Sequence, residues 1–203
     1  MSETVYAYPS KTFFVNMLTR DIELKDAILD LLDNCVDGIL RELKHNPPKD
    51  KKKPYDGFWA KILITPKIFS IEDNCGGISK EIAEKSAFRL GRVDANRDKD
   101  LPTVGMYGIG MKRAIFKMGQ KAEVVSRHKK DSYSVTIPPK WLKDDDDWNL
   151  PLENLPIDTL GFNGTRIAVE NLYDNISRQL SGKDFDKELH DDISNFFAII
   201  MSQ

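Results

Sequence analysis

The sequence predicts an α+β domain, and three observations lead there. Residues 24–39 carry a clean helical period. Several short β-type runs follow one another at turn-length spacing, at 61–67 and 69–73 and again at 122–127 and 132–137. Helical segments are grouped around these runs and do not alternate with single strands, which argues against a doubly wound parallel sheet. The length of 203 residues fits a single domain over 1–203, and 40% hydrophobic residues suffice for a core.

Taken in order, the first element is the helix at 24–39. Leu24, Ala27, Ile28, Leu31, Leu32, Cys35, Val36 and Ile39 recur at i, i+3, i+4, i+7. Thr19 or Asp21 is placed to cap its start. Residues 44–54, with two prolines and a lysine cluster, read as a loop. The strands at 61–67 and 69–73 come next, with Pro66 near an end where a missing N–H is tolerated. Ser79 is expected to cap a helix running to about Leu90 and stopped by Gly91. Residues 91–104 are polar and read as a long mobile loop. Residues 105–110 are glycine-rich and open a helix that ends near Gly119. Strands are expected at 122–127, 132–137 and 165–169, around an acidic, proline-containing excursion at 143–163. Phe185, Leu189, Ile193, Phe196, Phe197 and Ile200 form the apolar stripe of a last helix.

Composition excludes several classes. Lys plus Arg number 30 against 32 Asp plus Glu, so there is no global attraction to nucleic acid or to an anionic membrane. Cys35 and Cys75 are the two cysteines; they form no CxxC pair and no disulfide framework, which suits a reducing compartment. No apolar leader opens the chain and no run approaches a membrane span. A cytoplasmic protein without membrane contact is expected.

Four pieces carry candidate chemistry. On helix 24–39, Asp26, Asp30, Asp33, Asn34 and Asp37 share one polar stripe. A solvated helix face would look similar, but carboxylates interrupted by an amide also suit a hard cation bound through oxygen. Next, Asp73-Asn74-Cys75-Gly76-Gly77-Ile78 ends a strand with a carboxylate and paired glycines. Such an Asp accepts from an exocyclic amine, and the glycines let backbone approach a flat ring; a tight turn is the plainer alternative. Third, Gly105-Met106-Tyr107-Gly108-Ile109-Gly110 precedes a helix beginning Met111-Lys112-Arg113. Glycines before a helix N-terminus expose N–H groups to phosphate, and two cations in the first turn make sense with an anion nearby. The pattern is neither a Walker A loop nor a dinucleotide fingerprint. Last, Asn163-Gly164-Thr165 opens a strand, with a hydroxyl placed to share a hydrogen bond or a water with Asp73.

In order and spacing these four pieces resemble the N box, the two glycine boxes and the Gly-Thr box of the gyrase, heat-shock-chaperone, histidine-kinase and MutL (GHKL) ATPases, most like the MORC and chaperone branches. The resemblance spans about residues 21–172. It implies a Bergerat fold, a two-layer sandwich with a mixed sheet covered by helices on one face, and the nucleotide between helices and a lid at 91–104. It implies ATP and Mg²⁺ as ligands. Asn34 would ligate the metal, with Asp37 beside it. Asp73 would receive the adenine amine, helped by Gly77, Ile78, Thr165 and a water. The segment from Gly105 through Tyr107, Gly108, Ile109 and Gly110 to Met111 and Lys112 would hold the phosphates. Asp30 takes the place of the water-activating Glu, one methylene shorter, so slow hydrolysis is expected. Cys75 replaces the first glycine of its box.

The resemblance further implies a molecular clamp or switch that closes its lid and dimerises on binding ATP. A histidine kinase catalytic module and a non-hydrolysing nucleotide sensor are the alternatives. The aliphatic end at 196–201 suggests the N-terminal part of a longer protein, whose client protein or nucleic acid would be met by later regions. The weaker features read plainly. Lys49 and Lys51 to Lys53 are a solvated loop, Asp144 to Asp147 a solvated acidic loop without EF-hand spacing, His190 a surface residue, Trp59, Trp141 and Trp148 packing, and Cys35 core.

Overall fold

The computed structural model describes residues 5, 7, 9–48, 50–90 and 108–202. Helix α1 (Lys11–Thr19) leads into α2 (Leu24–His45), a hairpin of β1 (Ala60–Ile64) and β2 (Ile68–Asp73), and the short α3 (Lys80–Ile82), which continues as a wider π-type turn over Ala83–Ala87. Helix α4 (Gly110–Met118) then feeds β3 (Gly119–His128), β4 (Asp131–Ile137), β5 (Leu152–Asn154) and β6 (Gly164–Leu172). Helices α5 (Asp174–Leu180), α6 (Phe185–Phe196) and α7 (Ala198–Met201) finish the described chain.

The strands form one six-stranded sheet in the order β1-β2-β6-β3-β4-β5. Every pairing among the described strands is antiparallel, so the α/β sandwich stands but its sheet is not the mixed one expected. Each neighbour is reached from the opposite direction, which leaves no parallel pair to form.

Side chains alternate across the sheet, and its inner face shows rows across three central strands. Phe69, Val169 and Ala122 lie side by side, then Ile71, Ile167 and Val124. Both rows join a buried core with Leu24, Ala27, Ile28 and Leu31 of α2 and Ala114, Ile115 and Met118 of α4. Burying a Leu- or Ile-sized side chain contributes about 1.5–3 kcal/mol, so this apolar layer fixes the helices on the sheet. The next row is polar: Asp73, Thr165 and Ser126. The core stops there and the site begins.

Several sequence expectations are corrected. Helix α2 runs on to His45, and neither Thr19 nor Asp21 caps it. The N-cap is Glu23, without a side-chain cap bond. Thr19 is the last residue of α1, where its hydroxyl donates to the Val15 carbonyl (2.9 Å), and Asp21 pairs with Arg20. Ser79 does cap its helix, accepting from the Ile82 N–H. The 143–163 excursion contains the short edge strand β5.

Helix α1 went unforeseen because the residue that docks it is a lysine. Lys11 is fully buried. Its ammonium donates to the carbonyls of Trp141 (3.0 Å), Asp144 and Asp147, and lies 4.3 Å from the Trp141 ring centroid. Asp145 accepts from the Lys11 backbone N–H at 2.6 Å. The acidic loop is therefore not simply solvated: its backbone wraps the ammonium while its carboxylates stay exposed.

Candidate functional site

Asp73 and Thr165 of the polar row line a cavity of about 400 Å³ between the sheet, α2 and the start of α4, while Ser126 is fully buried and does not line it. Its volume lies within the range of small-molecule sites. Asp73 ends β2 facing this cavity. Its Oδ1 accepts from the Cys75 N–H at 2.8 Å. Burial pushes the Asp73 carboxyl up to about 6, against the pull of the backbone N–H groups of Cys75 and Thr165. Beside it, the Thr165 and Ser126 hydroxyls are 3.3 Å apart.

The turn after Asp73 is built for close approach. Gly76 and Gly77 have φ of +93° and +72°. A Cβ on Gly77 would lie 2.1 Å from the Arg127 carbonyl oxygen, so only glycine lets this turn lie against β3. Ile78 is pinned there: its N–H donates to Ser126 Oγ (2.8 Å) and its carbonyl accepts from the Tyr133 hydroxyl (2.9 Å). The left-handed backbone falls at 76 and 77. Cys75 needs none of it, which is why a cysteine is accommodated in place of a glycine.

Helix α2 forms one wall. Asn34, Asp37 and Gly38 line the cavity, followed one turn on by Arg41 and Glu42 and then by His45. Asn34 is exposed and its amide donates to the Asp30 carbonyl at 2.7 Å. Asp37 is buried. Burial first, then the charges of Asp30 and Asp37, raises the Asp33 carboxyl to about 6. Gly38 lets the helix touch the glycine turn, since a Cβ there would meet the Cys75 carbonyl oxygen at 2.4 Å.

The start of α4 closes the opposite side. Gly108, with φ +63°, and Gly110, Met111 and Lys112 all line the cavity. The Lys112 ammonium donates to the carbonyls of Ala87 (2.8 Å) and Gly108, tying the end of the π-type turn to the glycine segment. Ile109 is the N-cap of α4 and Asp30 lies beside Gly110; neither lines the cavity. Asp30 instead meets Arg113, with Nη2 and Nε at 2.5 and 3.1 Å from Oδ2. Gly105, Tyr107 and the whole 91–104 stretch lie outside the described residues.

The structure thus gathers Asn34, Asp37, Asp73, Gly77, Ile78, Gly108, Gly110, Met111, Lys112 and Thr165 around one cavity. Sequence reasoning missed Arg41, Glu42 and His45, although they continue from Asn34 at helical spacing. Ser126, two residues beyond Val124 in the inward alternation of β3, went unmarked as well; it does not line the cavity but bonds Ile78 and Thr165, which do. His128, whose Nδ1 is 2.8 Å from the Gly76 carbonyl oxygen, carried no such signal.

The Mg²⁺ question turns on donor chemistry. Asn34 and the neighbouring carboxylates are hard oxygen donors. Among the described residues no three His, Cys, Asp or Glu side chains form a metal-holding group. Mg²⁺ typically takes one or two protein oxygens and completes its shell with phosphate and water, so these residues fit it as a companion of a bound phosphate chain. Among the described residues, no helix is long and apolar enough to cross a membrane.

Residues 22–169 match the family described as histidine kinase-, DNA gyrase B-, and HSP90-like ATPase. Comparison with curated proteins gives no match.

Proposed function

The chain belongs to the family of histidine kinase-, DNA gyrase B- and HSP90-like ATPases, and on that footing we propose that it binds ATP with Mg²⁺ and hydrolyses it slowly to drive a clamp or switch. The observation that carries the reading is the half-buried Asp73 carboxylate at the end of an otherwise apolar floor, with Thr165 opposite it on the neighbouring strand. Asp73 already accepts from the Cys75 N–H, and a carboxylate has acceptor capacity left over, which the exocyclic amine of adenine suits. Thr165, which lines the cavity, adds a hydroxyl for a bridging water, and the buried Ser126 hydroxyl contacts that hydroxyl and the Ile78 N–H. The α4 N-terminus offers N–H groups to the phosphates. Asn34 would hold Mg²⁺, which supplies charge neutralisation along the phosphate chain.

Asp30 is the general base of this proposal. It stands beside Gly110, where an added Cβ would lie 3.5 Å from the Asp30 Cβ. Closure of the 91–104 stretch and pairing of two copies are the expected consequences of binding and rest on the family alone. The first test is calorimetry with ATP and GTP. ATP should bind and GTP should bind at least about tenfold more weakly, because a keto oxygen facing the carboxylate leaves both acceptors unpaired. Equal affinities would remove the adenine assignment. Sedimentation with and without a non-hydrolysable ATP analogue tests pairing.

A further inference from the structure

We propose that Arg113 is a positioning residue for hydrolysis, holding Asp30 by one carboxylate oxygen and leaving the other to take the proton of the attacking water. The inference rests on the assignment of Asp30 as base. Its support is geometric. Both guanidinium contacts of Arg113, from Nη2 and Nε, fall on Oδ2. Among the described residues, no hydrogen bond reaches Oδ1. The Asp30 side chain is also flanked by Gly110, whose added Cβ would come within 3.6 Å of Asp30 Cγ. Its own carbonyl accepts from the Asn34 amide. The glycine segment, the metal-binding amide and the base therefore meet at one point, and Arg113 sets the orientation of the base there.

The residue types explain why such a device is needed. Asp30 is short, and a displacement of about 1 Å at a reacting group can cost about 10²-fold in rate. A planar fork fixes a carboxylate better than a mobile ammonium. Arg113 also sits in the first turn of α4, where the helix dipole disfavours a cation; Asp30 is the counter-charge that offsets this. The pair is only partly buried, with side chains 32% and 23% exposed, and pairs of that kind add little stability. Positioning is a better account of it than holding the fold together.

In the step itself, the water oxygen attacks the γ-phosphorus and its proton passes to Oδ1 of Asp30. The bond from the γ-phosphorus to the bridging oxygen breaks, and the electron pair leaves with ADP. Inorganic phosphate is the other product, and Asp30 returns the proton to solvent. Arg113 stays on Oδ2 throughout.

The test is a double-mutant cycle on the whole chain, read as ATP affinity and single-turnover rate with Mg²⁺-ATP. Arg113→Ala should keep ATP affinity within about threefold and slow hydrolysis by about 10–100-fold. Arg113→Lys should recover part of that loss. In an Asp30→Asn background, which should itself be nearly inactive, Arg113→Ala should cost nothing more. Circular dichroism confirms folding, and Arg113→Gln and Arg113→Lys carry the test should the alanine variant not fold. An Arg113→Ala rate equal to wild type beside an inactive Asp30→Asn overturns the inference and spares the base assignment. So do losses that multiply in the double variant, since Arg113 would then act elsewhere. An Asp30→Asn protein that hydrolyses at the wild-type rate, or a wild type that binds ATP without turnover, overturns both.

Discussion

Replacing Asp73 by Asn should stabilise the nucleotide-free domain while destroying its affinity for ATP. The Asp73 carboxyl rises from the ordinary value of 3.8 to about 6, chiefly through burial. A group whose pKa is higher in the folded chain than in the unfolded chain favours folding when protonated. That contribution is complete below about 3.8 and is lost as pH rises through about 6. A shift of about two units corresponds to about 3 kcal/mol of penalty on the ionised form at pH 8. The side chain keeps some solvent access, so about 1–2 kcal/mol is the realistic difference. Asn keeps an acceptor for the Cys75 N–H, so the turn survives. The assay is urea or thermal unfolding of both proteins without nucleotide from pH 4 to pH 8. The variant should equal wild type near pH 4 and melt about 3–6 °C higher at pH 8. Saturating ATP should reverse the order by stabilising wild type alone. A variant less stable at pH 8, or a difference that does not change with pH, would refute the reasoning.

Other outcomes follow from the same geometry. Asn34→Ala should remove the Mg²⁺ dependence of ATP binding, read by calorimetry with and without chelator; an unchanged dependence would mean that the amide is only solvated. Gly77→Ala should destabilise by about 2 kcal/mol or more and abolish ATP binding, because its φ of +72° and the nearby Arg127 carbonyl both oppose a side chain. Thermal melting checks this, and a shift under 1 °C would count against it. Lys11→Met should cost about 2–4 kcal/mol by stranding carbonyls at 141, 144 and 147, with a change in Trp141 and Trp148 fluorescence; stability equal to wild type in chemical denaturation would contradict that docking role.

The local chemistry of this site was legible in the sequence. Helical spacing placed Asn34 and Asp37 on the polar face of α2, paired glycines marked the turn at 76–77, and a glycine segment marked the start of α4. These are effects of neighbours within a few residues, where backbone conformation and side-chain spacing decide the outcome. The α+β class followed from the grouping of elements for the same reason. Less could be read where one residue had two plausible partners. Arg113 suggested a nearby anion but not that the anion would be Asp30, 83 positions away in the chain. Lys11 gave no helical period because its burial depends on carbonyls of a distant loop.

Only the tertiary structure decided the register that sets Asp73, Thr165 and Ser126 in one row across three strands. Sliding any of these strands by one residue would turn its inner face outward. The sequence by itself determined which residues of each strand alternate, and it named the carboxylate, the hydroxyl and the glycines. Which strands stand side by side, and at what offset, depends on packing the apolar rows against α2 and α4. That long-range burial turns scattered polar residues into a single row.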